Sequence, residues 1–262
     1  MHMADALLSP AVGTTLWVAS AATLGWCAQR LRNDPRDHLV PLMGVLGAFV
    51  FAAQMINFAI PGTGASGHIG GGLLLAILLG GPAAFVVITS VLTVQALLFA
   101  DGGLLALGAN IFNLGVLPCL IAYPLIYRPL ARSATGKGLT AVTVLAAVIG
   151  LQGGALGVVV QTHLSGISSL PLEPFLLLMQ PIHLAIGLVE GFATASIIAF
   201  IRTARPDLVD VRQVPMAFPR RMIATFAVMA MFTGGVLSWF ASSLPDGLEW
   251  SIAHASAATA HR

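Results

Sequence analysis

The sequence predicts an all-α, polytopic helical membrane protein, a seven-helix bundle plus one extra C-terminal span. Three observations carry this. Of 262 residues, 57% are hydrophobic and 8% charged, with a mean hydropathy of +0.92. Soluble domains carry roughly a quarter charged residues, so this composition leaves almost nothing polar for a water-facing surface. The apolar runs are long and rich in Leu, Ala, Val and Gly, which favours helices over a barrel. Finally, 11 of the 12 Lys and Arg fall in three short loops, the mark of cytoplasmic connections.

The apolar segments run over 11–29, 39–60, 68–80, 83–100, 104–127, 138–163, 174–201 and 222–242. A crossing helix needs roughly 20 apolar residues, and most of these qualify. The stretch 68–100 is split at Gly80-Gly81-Pro82. Charge decides how often it crosses. One basic loop holds Arg30, Arg32 and Arg36, a second Arg128, Arg132 and Lys137, and a third Arg202, Arg205, Arg212, Arg220 and Arg221. For the first two loops to share a side, an even number of crossings must separate them. Segments 39–60 and 104–127 supply two, so 68–100 is expected to supply two more, the first short. The N-terminus, the loop at 61–67 and the tail after 242 then lie outside. The linker 203–221 carries Pro206, Pro215 and Pro219 and reads as a boundary. It divides the chain into a transmembrane domain at 1–202, a cytoplasmic linker, and a single span with a short external tail at 222–262.

Small residues stud these segments: Gly44 and Gly47, Gly150, Gly153 and Gly154, Gly187 and Gly191. They are expected to let helix backbones approach closely. Cys27 and Cys119 lie inside apolar runs and read as buried thiols, with no disulfide implied. The opening MHMADALLSP has no Lys or Arg, so it lacks the basic start of a secretory signal.

That opening carries a histidine at position two. A free amine followed by His offers three nitrogens in sequence: the Met1 amine, the His2 amide and a His2 ring nitrogen. Together they close two fused, nearly flat chelate rings, because the peptide is planar. Tetragonal nitrogen geometry suits Ni(II) or Cu(II), whereas Mg and Ca prefer oxygen. The amide must lose its proton, so affinity is expected to fall with pH. A glycine-rich stretch, Gly62 to Gly72, carries His68 on the same expected face. Glycines permit close backbone approach. His68 is therefore the candidate for the fourth corner.

At these residues a resemblance appears. MHMADALLSP, QMINFAIPGTGASGHIGGGLL, QALLFADGGLLALGANIFNLG and PIHLAIGLVEG resemble signatures of the CbiM/NikM family over roughly residues 1–200. These are the metal-binding membrane subunits (S components) of energy-coupling-factor cobalt and nickel transporters, a family tied to cobalamin biosynthesis. The resemblance implies a square-planar, all-nitrogen site on Met1, His2 and His68. It also implies transported Ni(II) or Co(II) rather than a cofactor, and no enzymatic activity in this chain. The implied partners are a transmembrane coupling (T) subunit, two ATPase subunits and a small accessory membrane subunit, in the cell inner membrane, with no nucleic acid. One departure is Ala6-Leu7, where the family more often has glycine and an aromatic residue. Pro245-Asp246-Gly247-Leu248-Glu249 resembles the PDGLE motif of the accessory subunit, here without the second span that usually follows.

Other polar groups at membrane depth are costly and are expected to be paired or functional. Asp5, Gln54, Asn57 and Ser66 are candidates to support the site from behind its ligands. Gln95, Asn110 and Asn113 are expected to tie spans together. His183 and Glu190, seven apart, share a helix face, as an ion pair or a partner contact. His163, His254 and His261 read as solvated. Two rival functions fit parts of the sequence. Gly64-Ala65-Ser66-Gly67 fits the GxSG pattern of rhomboid-type intramembrane serine proteases, with Ser66 paired to His163 or His183. An ion-gradient-driven metal transporter would show inverted repeats. The sequence has no GxxxxGK[ST] motif, so ATP-derived energy is expected to come from other subunits.

Overall fold

The computed structural model describes residues 2–34, 36, 39–204 and 220–260. After a 3-10 turn at Asp5–Leu7, helix α1 runs over Pro10–Arg32. Ser9 caps it by accepting from the Val12 N–H, and Pro10 sits in the first turn, where its missing N–H costs nothing. Arg30 and Arg32 end it, complementing the negative end of the helix dipole. Helix α2 spans Leu39–Gln54. An antiparallel hairpin follows, β1 (Phe58–Ile60) and β2 (Ala65–Gly67), in register Phe58 to Gly67 and Ile60 to Ala65. Helix α3 is Gly72–Leu79 and α4 is Gly81–Leu98. Helix α5 (Leu107–Ile111) runs through a π-helical stretch, Phe112–Tyr127, into α6 (Arg128–Ala131). Pro118 and Pro124 lie inside that stretch, and each removes a backbone donor from the ladder. Helices α7 (Lys137–Ser165) and α8 (Leu172–Ala204) pack along one another. Helix α9 (Arg220–Gly235) leans on α2, and α10 (Gly247–Ala260) on α8.

Eight crossings were expected. Among the described residues, 6 helices are long and apolar enough to span a membrane: 10–32, 81–98, 107–131, 137–165, 172–203 and 223–240. The other two apolar segments make shorter helices. Segment 39–60 yields α2, 16 residues long or about 24 Å, because the chain turns into the hairpin beyond Gln54. Segment 68–80 yields α3, only 8 residues or about 12 Å. Its first part is not helical because the N–H groups of Gly70 and Gly71 bond to the Glu190 carboxylate. The break between α3 and α4 falls on Gly80, at φ 88° and ψ 154°, a conformation that side chains exclude. Pro82 then starts α4. The up-and-down order nonetheless follows the charge reading. Arg36, paired with Asp34 at 2.6 Å, also donates to the Leu79 carbonyl, so the first basic loop and the α3–α4 turn share one end. The hairpin and the N-terminal segment gather at the other. The linker expected at 203–221 lies outside the described residues over 205–219.

Large apolar side chains face outward along the helices; Val18, Leu98, Leu125, Leu177 and Phe200 are all exposed. On a soluble protein so much apolar surface would be an aggregation hazard, but in lipid it is the solvent-matched face. Small residues do the expected work between α7 and α8, where Gly187 and Gly191 lie against the Val148 and Val144 backbone. Gly44 differs, since its α-carbon faces open space beside a groove between α2 and α4.

Candidate metal site

The N-terminal segment is held by the loop after α4 rather than by the glycine-rich stretch alone. Met3 N–H donates to Asn110 Oδ1 at 2.8 Å, Asn110 Nδ2 returns a bond to the Met3 carbonyl, and Gly103 N–H donates to the same carbonyl. Met3 is fully buried. Asp5 Oδ1 accepts from the Ala106 N–H at 2.9 Å. A Cβ on Gly103 would collide with the Asp5 carboxylate and backbone, so only glycine lets the two strands of chain lie this close.

This clamp delivers His2 to His68. Their rings stack, centroids 5.1 Å apart and planes within 5°. His2 Nδ1 faces Asp101 Oδ1 at 3.0 Å, with the side chains 5% and 33% exposed. His2 Nε2 is buried and has no hydrogen-bond partner among the described residues. Asp101 belongs to the quoted ADGG stretch, yet nothing in the sequence marked it as a partner of His2. Burial lifts its carboxyl, but the hydrogen bond from His2 and the charges nearby reverse that and hold it below its usual value. Burial pushes the His68 imidazole down to about 3, so the ring is neutral at pH 7, and its Nδ1 faces the Ile69 carbonyl at 3.2 Å. Met1 lies outside the described residues.

His68 is fixed by the glycines that follow it. Glu190, on α8, accepts from Gly70 N–H at 2.8 Å through one oxygen and from Gly71 N–H at 3.0 Å through the other. Gln54 Nε2 donates to the Gly70 carbonyl at 2.6 Å, and Gln95 donates to Gln54 Oε1 at 2.9 Å. Gln54 thus braces the backbone of the histidine loop. Gln95 ties α4 to α2, and Asn113 pairs with Gln161 of α7. His183 and Glu190 are not paired with each other. Glu190 is spent on the glycines, and His183 Nδ1 donates to the Met179 carbonyl at 2.8 Å.

The tail arrives at the same end. Ser66 N–H donates to the Pro245 carbonyl at 2.8 Å, the Ser66 hydroxyl donates to Leu244 and Pro245 carbonyls, and Ser242 N–H donates to the Asn57 carbonyl. Ser66 thus spends its hydroxyl hydrogen on the tail rather than on His163 or His183, which removes the basis for a protease dyad. The Pro245–Glu249 stretch is itself a capping box. Asp246 Oδ1 accepts from Leu248 and Glu249 N–H, and Glu249 Oε2 accepts from Asp246 N–H, the reciprocal arrangement that starts a helix. The short external tail expected beyond 242 is therefore a folded helix, α10. His254 is exposed, stacked on Trp250.

Residues 2–208 match the family of the cobalt uptake substrate-specific transmembrane region, CbiM. The chain belongs to that family. Residues 220–262 match the PDGLE domain. The chain is 32% identical to a fused nickel transport protein, NikMN, of Rhodobacter capsulatus, over 87% of this chain and 69% of that one. It is 30% identical to the cobalt transport protein CbiM of Geobacter sulfurreducens, over 88% and 69%. A protein of Haloquadratum walsbyi named for metal transport is 38% identical over 80% and 93%. The crystal structure of a truncated transition metal transporter superposes with a TM-score of 0.69 at 28% identity, covering 78% of this chain and 99% of that one. The chain is thus a membrane component of the metal-transporter class, helical throughout its spans.

Proposed function

We propose that this chain is the substrate-capture subunit of an ATP-driven nickel or cobalt uptake transporter, and that it binds the ion on the extracytoplasmic side of the cell inner membrane. The ligands are the Met1 amine, the His2 amide, a His2 ring nitrogen and His68, four nitrogens in one plane. The observation that carries the reading is the stacked pair of buried imidazoles, His2 on His68. It brings together two donors 66 positions apart, and the clamp by Asn110, Gly103 and Asp5 fixes the segment that bears the first of them. Coupling and ATPase subunits supply energy, and the 220–262 segment takes the part of the accessory subunit. On this reading the chain divides into a metal-binding body at 1–202, a linker at 203–221 and the appended span and tail at 222–262.

Titration calorimetry of the purified chain with Ni(II) and Co(II) tests this. Added residues ahead of Met1 abolish binding by removing the amine, and His68→Ala weakens it severely. Undiminished affinity in either variant sinks the planar site.

A further inference from the structure

Two buried glutamines join the halves of the candidate site. Gln54 ends α2, and Gln95 lies in the last turn of α4; they are 2% and 0% exposed. What each amide meets fixes which way it points. The Gly70 carbonyl only accepts, so Gln54 turns its Nε2 to it, at 2.6 Å. Gln54 Oε1 then faces α4, and Gln95 must present its own Nε2 there, at 2.9 Å. Reversing either amide would oppose two oxygens in a buried place, where an unmade hydrogen bond is costly. The donors therefore run one way, from α4 to α2 to the histidine loop, and Gln95 Oε1 at the start of the relay has no partner among the described residues.

Gln95 also acts through its main chain. Its carbonyl accepts from Phe99 N–H and again from Asp101 N–H, both at 3.1 Å. Between those two residues Ala100 has φ 54°, a left-handed conformation that a side chain disfavours. This turn folds the chain back over the end of α4 and sets the Asp101 carboxylate 3.0 Å from His2 Nδ1. One residue thus reaches both branches of the site. Its carbonyl holds the loop that faces His2, and its side chain, by way of Gln54, holds the loop that carries His68.

We propose that Gln95 is a positioning residue for metal capture, tying the His2 branch and the His68 branch to one frame at the end of α4. The inference rests on the capture reading above. Gln95 itself meets neither imidazole in this scheme. A site works only when its donors are held close to the productive geometry. Branches anchored to separate helices would drift independently, whereas anchoring both to Gln95 makes them move together. The plane so maintained favours Ni(II) over Zn(II), whose d-electrons impose no geometry.

The test compares the full chain, its N-terminus unaltered, with Gln95→Met, Gln54→Met and the double variant. Met keeps the length and helix preference of Gln while removing the amide. Titrations use Ni(II) and Zn(II) as probes. Each single variant is expected to lose about tenfold in Ni(II) affinity and less in Zn(II) affinity. The double variant loses no more than either single one, because the two amides act in series. Equal losses for both ions, or losses that add, would make the glutamines ordinary packing and overturn the proposal. Hydrogen exchange of the metal-free chain gives a second measurement, independent of any ion. Gln95→Met is expected to speed exchange severalfold over 69–72 while α7 keeps its protection, which shows the bundle intact. Unchanged protection over 69–72 overturns the proposal. If the unaltered chain binds no Ni(II), the capture reading fails instead, and the exchange measurement still decides whether Gln95 holds the histidine loop.

Discussion

On the capture reading proposed above, Asp101 sits where an arriving ion competes with it. A chelate running from the His2 amide to its own ring closes through Nδ1, the nearer nitrogen, and Nδ1 is the atom that faces Asp101 Oδ1. On that same reading, the carboxylate orients the ring and offsets the charge of the dication. Asp101→Asn is expected to weaken Ni(II) affinity roughly tenfold; equal titration curves would make the carboxylate a bystander. His68 sets a pH dependence of stability. Its folded value is about 3 and its unfolded value about 6.5, so between these the unfolded chain binds more protons. Stability attributable to this ring is complete above pH 6.5 and is lost as pH falls toward 3. Melting curves in detergent from pH 7 to pH 4 check this, and His68→Gln flattens the slope. His2 and His68 were legible because both lie near the same expected membrane face. Asp101 and Glu190 were not, because their partners lie about a hundred positions away in sequence and only the folded bundle brings them together.

At the scale of elements, the N-terminal clamp and the tail clasp depend on glycines. Gly103→Ala drives a methyl into Asp5. Overpacking of this kind costs about 1–3 kcal/mol, and here it displaces the segment that bears His2. The melting temperature and the metal affinity of the variant are expected to fall together; a fall in melting temperature alone would show that the clamp does not position the ligand. Apolar length located every long helix correctly, and the break at Gly80-Gly81-Pro82 was legible from the residues themselves. The early end of α2 was not, because the apolar run continues to Ile60 through the hairpin. Nor was the shortness of α3, because the Glu190 carboxylate that claims Gly70 and Gly71 is on α8. The PDGLE-like stretch was legible as a motif, and its Asp246 and Glu249 make the capping box that starts α10.

For the whole molecule, the charge pattern and the chain path agree. Among the described residues Arg36, Arg128 and Arg202 share one end, near Tyr123 and Tyr127, and the hairpin, the Asp101 loop and the tail share the other. A single cysteine introduced at Thr63 is expected to react with a membrane-impermeant maleimide in intact cells, whereas one at Ala134 reacts only after the membrane is opened. The reverse pattern would turn the site toward the cytosol and end the uptake reading. Fold class and membrane character were legible from composition alone, while the direction of the chain needed the placement of Lys and Arg.

The tail that reaches Ser66 is covalently continuous with the bundle it clasps. Its release and return are therefore first-order events, set by local tether geometry and independent of how many copies the membrane holds. Dilution that would strip a separately made subunit from its partner leaves this clasp at full occupancy.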